Sequence, residues 1–168
     1  FGGADYLCGF IDNYERKMKL YHAVKPEYPV IVFLDNDDGP KQIIKLLKSK
    51  KFQNRIELFP STLNKMNDIN KSEFIRVVNN LYVIFTPLTP GGKETDIEYF
   101  FDDKTRLLKH KNGKCFNTVK NRDKDSDLSK DAFANHIIKE RKKSVDFNGL
   151  KPLLDSIVKV MDHYKTIK

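Results

Sequence analysis

The stretch Tyr28-Pro-Val-Ile-Val-Phe-Leu-Asp35-Asn-Asp37-Asp38-Gly39 constrains this chain more than any other. Its apolar run does not alternate. That is the pattern of a strand covered on both faces, and it predicts a central, parallel strand with helices on either side. An acidic cluster follows at once. In open α/β sheets ligands sit beyond the carboxyl ends of the strands, so such a fold would carry Asp35, Asp37 and Asp38 to that rim. Side chains alternate along an extended segment, which lets Asp35 and Asp37 converge while Asn36 faces away. Like charges held that close repel, and a divalent cation relieves the repulsion. The plainer explanation is a turn, in which Asp and Asn ahead of Gly bond to local backbone. One such residue suffices for a turn. Three carboxylates in four positions favour a metal site.

Length and charge narrow the setting. At 168 residues the chain is long enough for one domain with its own core, and 12 Phe with 7 Tyr supply the bulk to fill it. Lys and Arg outnumber Asp and Glu by 31 to 23, a net charge of +8 that suits a polyanionic partner such as nucleic acid. Cys8 and Cys115 stand far apart, without the spacing of a zinc set, and read as reduced thiols of a cytoplasmic protein. No apolar run reaches the length of a membrane span, so no membrane partner is expected. The first residue is Phe rather than Met, which points to a piece of a larger polypeptide.

Along the chain, Leu7, Phe10, Ile11, Tyr14, Met18 and Tyr21 recur at helical intervals and predict an amphipathic helix from Ala4 to Tyr21. Pro40 opens a second helix with Ile43, Ile44, Leu46 and Leu47 inward. Arg55–Phe59 reads as a short strand. Phe74–Val78 and Leu81–Phe85 around Asn79-Asn80 read as a hairpin, the second run being another inner strand. Residues 94–101 predict a short helix burying Ile97, Phe100 and Phe101. Residues 102–125 form a basic loop excursion anchored by few apolar residues, among them Phe116 and Val119. Two helices close the chain. Ser129 caps one with Phe133, Ala134, Ile137 and Ile138 inward, and the last buries Leu153, Leu154, Ile157, Val158 and Met161.

Three further groups of residues bear on chemistry. Asp96 and Glu98 follow an inner strand as the first acidic cluster does, and two acidic groups on neighbouring strands would hold two divalent ions around a scissile phosphate. Thr95 and Glu98 equally fit a capping box. Lys130 falls in the first turn of its helix, where the macrodipole disfavours a cation, so a phosphate or a developing negative charge is a candidate partner, although in a lysine-rich chain plain solvent exposure is the simpler explanation. Lys104, Arg106, Lys109, Lys111 and Lys114, with Lys139, Arg141, Lys142 and Lys143, are either a solvated surface or a track for a nucleic-acid backbone. The four histidines show no ligand spacing.

Asp-x-Asp at a strand end serves two chemistries. In haloacid-dehalogenase-like phosphatases the first Asp is the nucleophile and the second the acid/base. In Toprim domains the pair binds magnesium. The motif order Val30–Gly39, Leu81–Pro87, Gly91–Phe101 and Val145–Leu154 resembles the C-terminal Toprim-like extension of certain retron reverse transcriptases over nearly the whole chain. The resemblance implies a Toprim/Rossmann-like α/β sheet, largely parallel, as a single domain over 1–168. It further implies two magnesium (or manganese) ions held by Asp35, Asp37, Asp96 and Glu98, with Lys130, or Lys139 in its stead, as the catalytic lysine and Asp35 and Asp37 at the reacting centre. The activity implied is nuclease action in an anti-phage system, with the reverse transcriptase domain of the same polypeptide and its RNA–DNA hybrid product as partners. The glutamate that Toprim domains carry after their first strand has no counterpart here, so the resemblance places that strand upstream of Phe1. A non-catalytic docking module for nucleic acid or the polymerase is the alternative.

Overall fold

The computed structural model describes residues 3–21, 26–92, 94–117 and 127–167. The chain divides into two compact units, Phe1–Thr95 with Leu153–Lys168, and Asp96–Pro152.

The first unit is mixed α/β. Strands β1 (Val30–Leu34), β2 (Glu57–Phe59), β3 (Phe74–Val78) and β4 (Leu81–Phe85) form one sheet in the order β1-β4-β3-β2. β1 runs parallel to β4, while β4–β3 and β3–β2 are antiparallel. Two expectations are thereby corrected. The sheet is mostly antiparallel rather than largely parallel, because the Asn79-Asn80 hairpin joins β3 directly to β4 and a two-residue turn permits only antiparallel neighbours. Asn79 takes the positive φ of 50° that such a turn requires. β1 is an edge strand of this sheet and not its centre. The inner strands are β4 and β3, and all five residues of β4 are buried.

The unbroken apolar run of β1 still has its cause in burial on two faces. Val32 and Leu34, with Leu81, Val83 and Phe85, pack against α1 (Ala4–Leu20) and α2 (Lys41–Leu47) through Ile11, Tyr14, Ile43 and Leu47. Ile31 and Phe33, with Tyr82 and Ile84, pack against α5 (Lys151–Ile167) through Val160 and Tyr164. The result in this unit is helices, sheet, helix. α5 is seated further by the Tyr82 hydroxyl, 2.9 Å from His163 Nδ1, and burial pushes that phenol up to about 12.

α5 turns only part of the expected face inward: Leu153 is buried and Ile157 packs against the sheet, but the other three expected residues are exposed. Leu153, Ser156, Val160 and Tyr164 are buried, whereas Leu154 and Val158 are 56% and 54% exposed and Met161 is exposed too. The helix carries two apolar stripes, and the one continued by Tyr164 reaches the sheet.

The second unit has its own core of Phe101, Phe116, Leu128, Phe133 and Ile137. Around it lie a 3₁₀ turn (Ile97–Phe100), α3 (Asp103–Arg106), α4 (Lys130–Ala132) continued by a π-helical stretch (Phe133–Lys139), and a second 3₁₀ turn (Asn148–Leu150). Ser129 caps α4 as expected, its hydroxyl accepting from the Ala132 amide at 3.1 Å. Ala134 is exposed, however, since the wider π-helical turns bring Phe133 and Ile137 alone fully into the core. Of the expected 102–125 excursion, residues 103–106 are helical and Phe116 is buried, while 118–125, including Val119, lie outside the described residues.

Candidate functional site

At the end of β1 the backbone does what alternation demands. Asn36 is buried, and its amide N–H donates to Thr86 Oγ1 and to the Thr95 carbonyl, both at 2.8 Å. Its side-chain Nδ2 donates to the carbonyls of Asn70 (2.7 Å) and Thr86 (2.9 Å), and Oδ1 accepts from Asn70 Nδ2 at 3.3 Å. Thr86 Oγ1 in turn donates to the Thr95 carbonyl at 2.9 Å. Asn36 thus binds together β1, the segment after β4, Thr95 and the loop before β3. Reasoning from the carboxylates passed over Asn36, although the alternation that turns the Asp pair one way turns Asn36 the other way, into the interior.

Asp35 and Asp37 are half-buried on either side of it. Asp37 Oδ1 accepts from the Gly39 amide at 2.8 Å, so the acidic turn is also an Asx turn. A β-carbon on Gly39 would lie 3.0 Å from that same oxygen, which suits glycine to the position. Asp38 is exposed and pairs with Lys41 at 2.7 Å, inside the first turn of α2.

In the second unit three of the expected residues come together. Lys130 Nζ lies 3.1 Å from Asp96 Oδ2 and 3.1 Å from Glu98 Oε2. This accounts for a cation at a helix N-terminus, because two carboxylates offset the macrodipole. The capping box does not form. Asp96 rather than Thr95 is the N-cap of the 97–100 turn, its Oδ1 accepting from the Tyr99 amide at 3.1 Å. That shift of one position turns Glu98 inward and Ile97 outward, to 7% and 40% exposure, the reverse of the expected burial of Ile97.

Glu98 is the unusual group. Burial pushes its carboxyl above the ordinary range, and a hydrogen bond from its own backbone amide, with the Lys130 charge, pulls back only part of that rise. Its Oε2 is buried and is met by the Lys130 ammonium group at 3.1 Å. Burying a carboxylate costs stability even when it is paired, and groups so perturbed gather at functional sites.

The basic residues spread over the second unit. Lys104 and Arg106 belong to α3, and Lys109, Lys111 and Lys114 to the loop after it. Lys139 ends the π-helical stretch, and Arg141, Lys142 and Lys143 lie in the turn that follows. Arg106 is structurally engaged, donating to the Tyr99 carbonyl at 3.0 Å and pairing with Asp103.

As for metal chemistry, among the described residues no three His, Cys, Asp or Glu side chains gather closely enough to hold an ion between them. Carboxylates in pairs, hard oxygen donors, suit magnesium, which keeps several waters and is held by one or two carboxylates. The donors at Asp96 and Glu98 fit that description, and both now face the Lys130 ammonium group. The described residues include no helix long and apolar enough to cross a membrane. Set against known proteins, the chain matches no family model and no solved structure.

Proposed function

We propose that this chain is a magnesium-dependent phosphodiester hydrolase, a Toprim-type nuclease acting with a reverse transcriptase in the same polypeptide in the cytoplasm. The observation that carries the reading is the meeting of Lys130 with Asp96 and the buried Glu98. The resemblance of the motifs to retron reverse transcriptase extensions supplies the partner and the biological setting. A divalent cation bound by such carboxylates would polarise the phosphoryl oxygens and bring the attacking water nearer to hydroxide.

The chain's own residues have separable tasks. Asp96 and Glu98 hold the cation in the second unit, and Asp35 and Asp37 hold one at the acidic turn of the first. Lys130 places a positive charge where negative charge develops on the phosphoryl group. Burial of Glu98 makes it a stronger ligand when a cation displaces the last of its water.

One observation favours a second reading, a non-catalytic docking module. Asp37, Asp38 and Asp96 already have local structural tasks in an Asx turn, an ion pair and an N-cap. The two readings part in a cleavage assay of the full chain on RNA and DNA, single-stranded and duplex, with magnesium or with chelator. The nuclease reading expects cation-dependent cleavage that falls at least about tenfold in Asp35→Asn plus Asp37→Asn and again in Lys130→Met. Salt-sensitive binding without turnover would assign the chain to the docking reading, and cleavage unchanged in both variants would overturn the roles given to Asp35, Asp37 and Lys130.

A further inference from the structure

From the surface beside Glu98 we infer that the second unit binds single-stranded nucleic acid, with Tyr99 and Phe147 stacking on its bases. Large aromatic side chains are normally covered. Tyr99 is 44% exposed and Phe147 43% exposed, and both stand on turns fastened to the same place. The 146–150 segment approaches the 97–101 turn so closely that a β-carbon on Gly149 would lie 1.9 Å from the Phe100 carbonyl oxygen, and Phe147 meets the Phe101 ring edge-on at 6.0 Å.

Tyr99 is built as a platform. The Arg106 guanidinium lies over its ring at 5.8 Å, and the same side chain donates to the Tyr99 carbonyl at 3.0 Å. Phe100 supports the ring in a T-shaped contact at 5.7 Å. A ring held in this way loses little further freedom when a base stacks on it.

Charge selects the partner. Residues 104–117 contain five Lys or Arg and no Asp or Glu, and Lys104, Lys109 and Lys111 are exposed. The loop that carries Lys109 and Lys111 is tied back beside Arg106 by the Phe116 amide, which donates to the Arg106 carbonyl at 3.0 Å. Exposed rings next to a cation-only loop match a strand whose bases are splayed and whose backbone is anionic. A duplex keeps its bases stacked inside and offers those rings nothing. This inference deepens the phosphodiester reading by naming the substrate class of the site that begins one residue earlier, at Glu98, and it rests on that reading for its functional meaning.

The test is fluorescence anisotropy of the full chain, in chelator so that nothing is cleaved, with labelled oligo(dT), oligo(U) and a duplex of about 20 residues. Single strands are expected to bind at least about tenfold tighter than duplex. Tyr99→Leu is expected to weaken them about 5- to 150-fold with little change in salt dependence, while Tyr99→Phe binds as the parent does. Lys109→Gln plus Lys111→Gln should lower the salt slope instead. Equal affinity for duplex, no binding of either, or parental affinity in Tyr99→Leu would overturn the inference and leave the rings as a protein-docking surface. Because binding is read without a divalent cation, it can succeed where cleavage fails. Loss of strand binding in Tyr99→Leu in a chain that never cleaves would refute the hydrolase and keep this inference, and the opposite pattern would do the reverse.

Discussion

Glu98→Gln is expected to cut cation-dependent cleavage by about a hundredfold or more while making the fold more stable at neutral pH. The first half follows from removing a charged cation ligand. The second follows from burial. Because the folded chain holds the Glu98 carboxyl above its ordinary range, the stability this group contributes is fully present below the unfolded carboxylate pKa and is lost as pH rises through the raised value. Above that value the charged form is a burden that glutamine does not carry, while Lys130 keeps Asp96 as its partner at 3.1 Å. The difference in melting temperature between variant and parent should therefore be positive near pH 8 and vanish below about pH 4. Thermal melts across that range, run beside the cleavage assay, check both halves. A variant that is less stable at neutral pH and cleaves normally would make the Lys130 pair purely structural.

The second large effect concerns the first unit. Asn36→Leu removes the donors to two carbonyls, of partly buried Asn70 and of buried Thr86, and inserts an apolar group among polar ones. Each buried group left unsatisfied costs about 1–3 kcal/mol, so a loss of about 4 kcal/mol is expected. That is a large share of the roughly 5–15 kcal/mol by which domains are stable. Asn36→Asp should be no better, because a carboxylate offers those carbonyls no hydrogen and adds a buried charge. Urea unfolding measures both. A loss under about 1 kcal/mol would mean that water replaces the missing bonds.

How much of this was legible in the residues differs by element. α1, the β3–β4 hairpin and the Ser129 cap follow from local rules, namely helical spacing, a turn-tolerant Asn pair and a hydroxyl one turn ahead of an amide. The position of β1 does not follow. An apolar run reports burial on both faces, which α1, α2 and α5 supply, but it says nothing about whether a second strand lies alongside. Nor does periodicity choose between the two apolar stripes of α5, since that depends on which one the sheet meets.

At the candidate site, residue types pointed to Asp96, Glu98 and Lys130, and these three do meet. The inward turn of Glu98 was not legible, because it rests on Asp96 rather than Thr95 taking the N-cap, a difference of one residue that propensity barely distinguishes. Tyr99 escaped notice for a related reason. A Tyr in Ile97-Glu-Tyr-Phe-Phe101 reads as part of a buried aromatic run until the turn shows that it faces outward.

The claim on which the rest depends is that Asp96 and Glu98 gather around a place for a cation. Manganese titrated into the full chain at neutral pH, with its electron paramagnetic resonance signal read as free ion, addresses it most directly. The account predicts saturable binding that weakens at least about tenfold in Glu98→Gln and is untouched in Asp5→Asn, an exposed carboxylate on α1. Identical manganese affinity in the parent and in Glu98→Gln would contradict it.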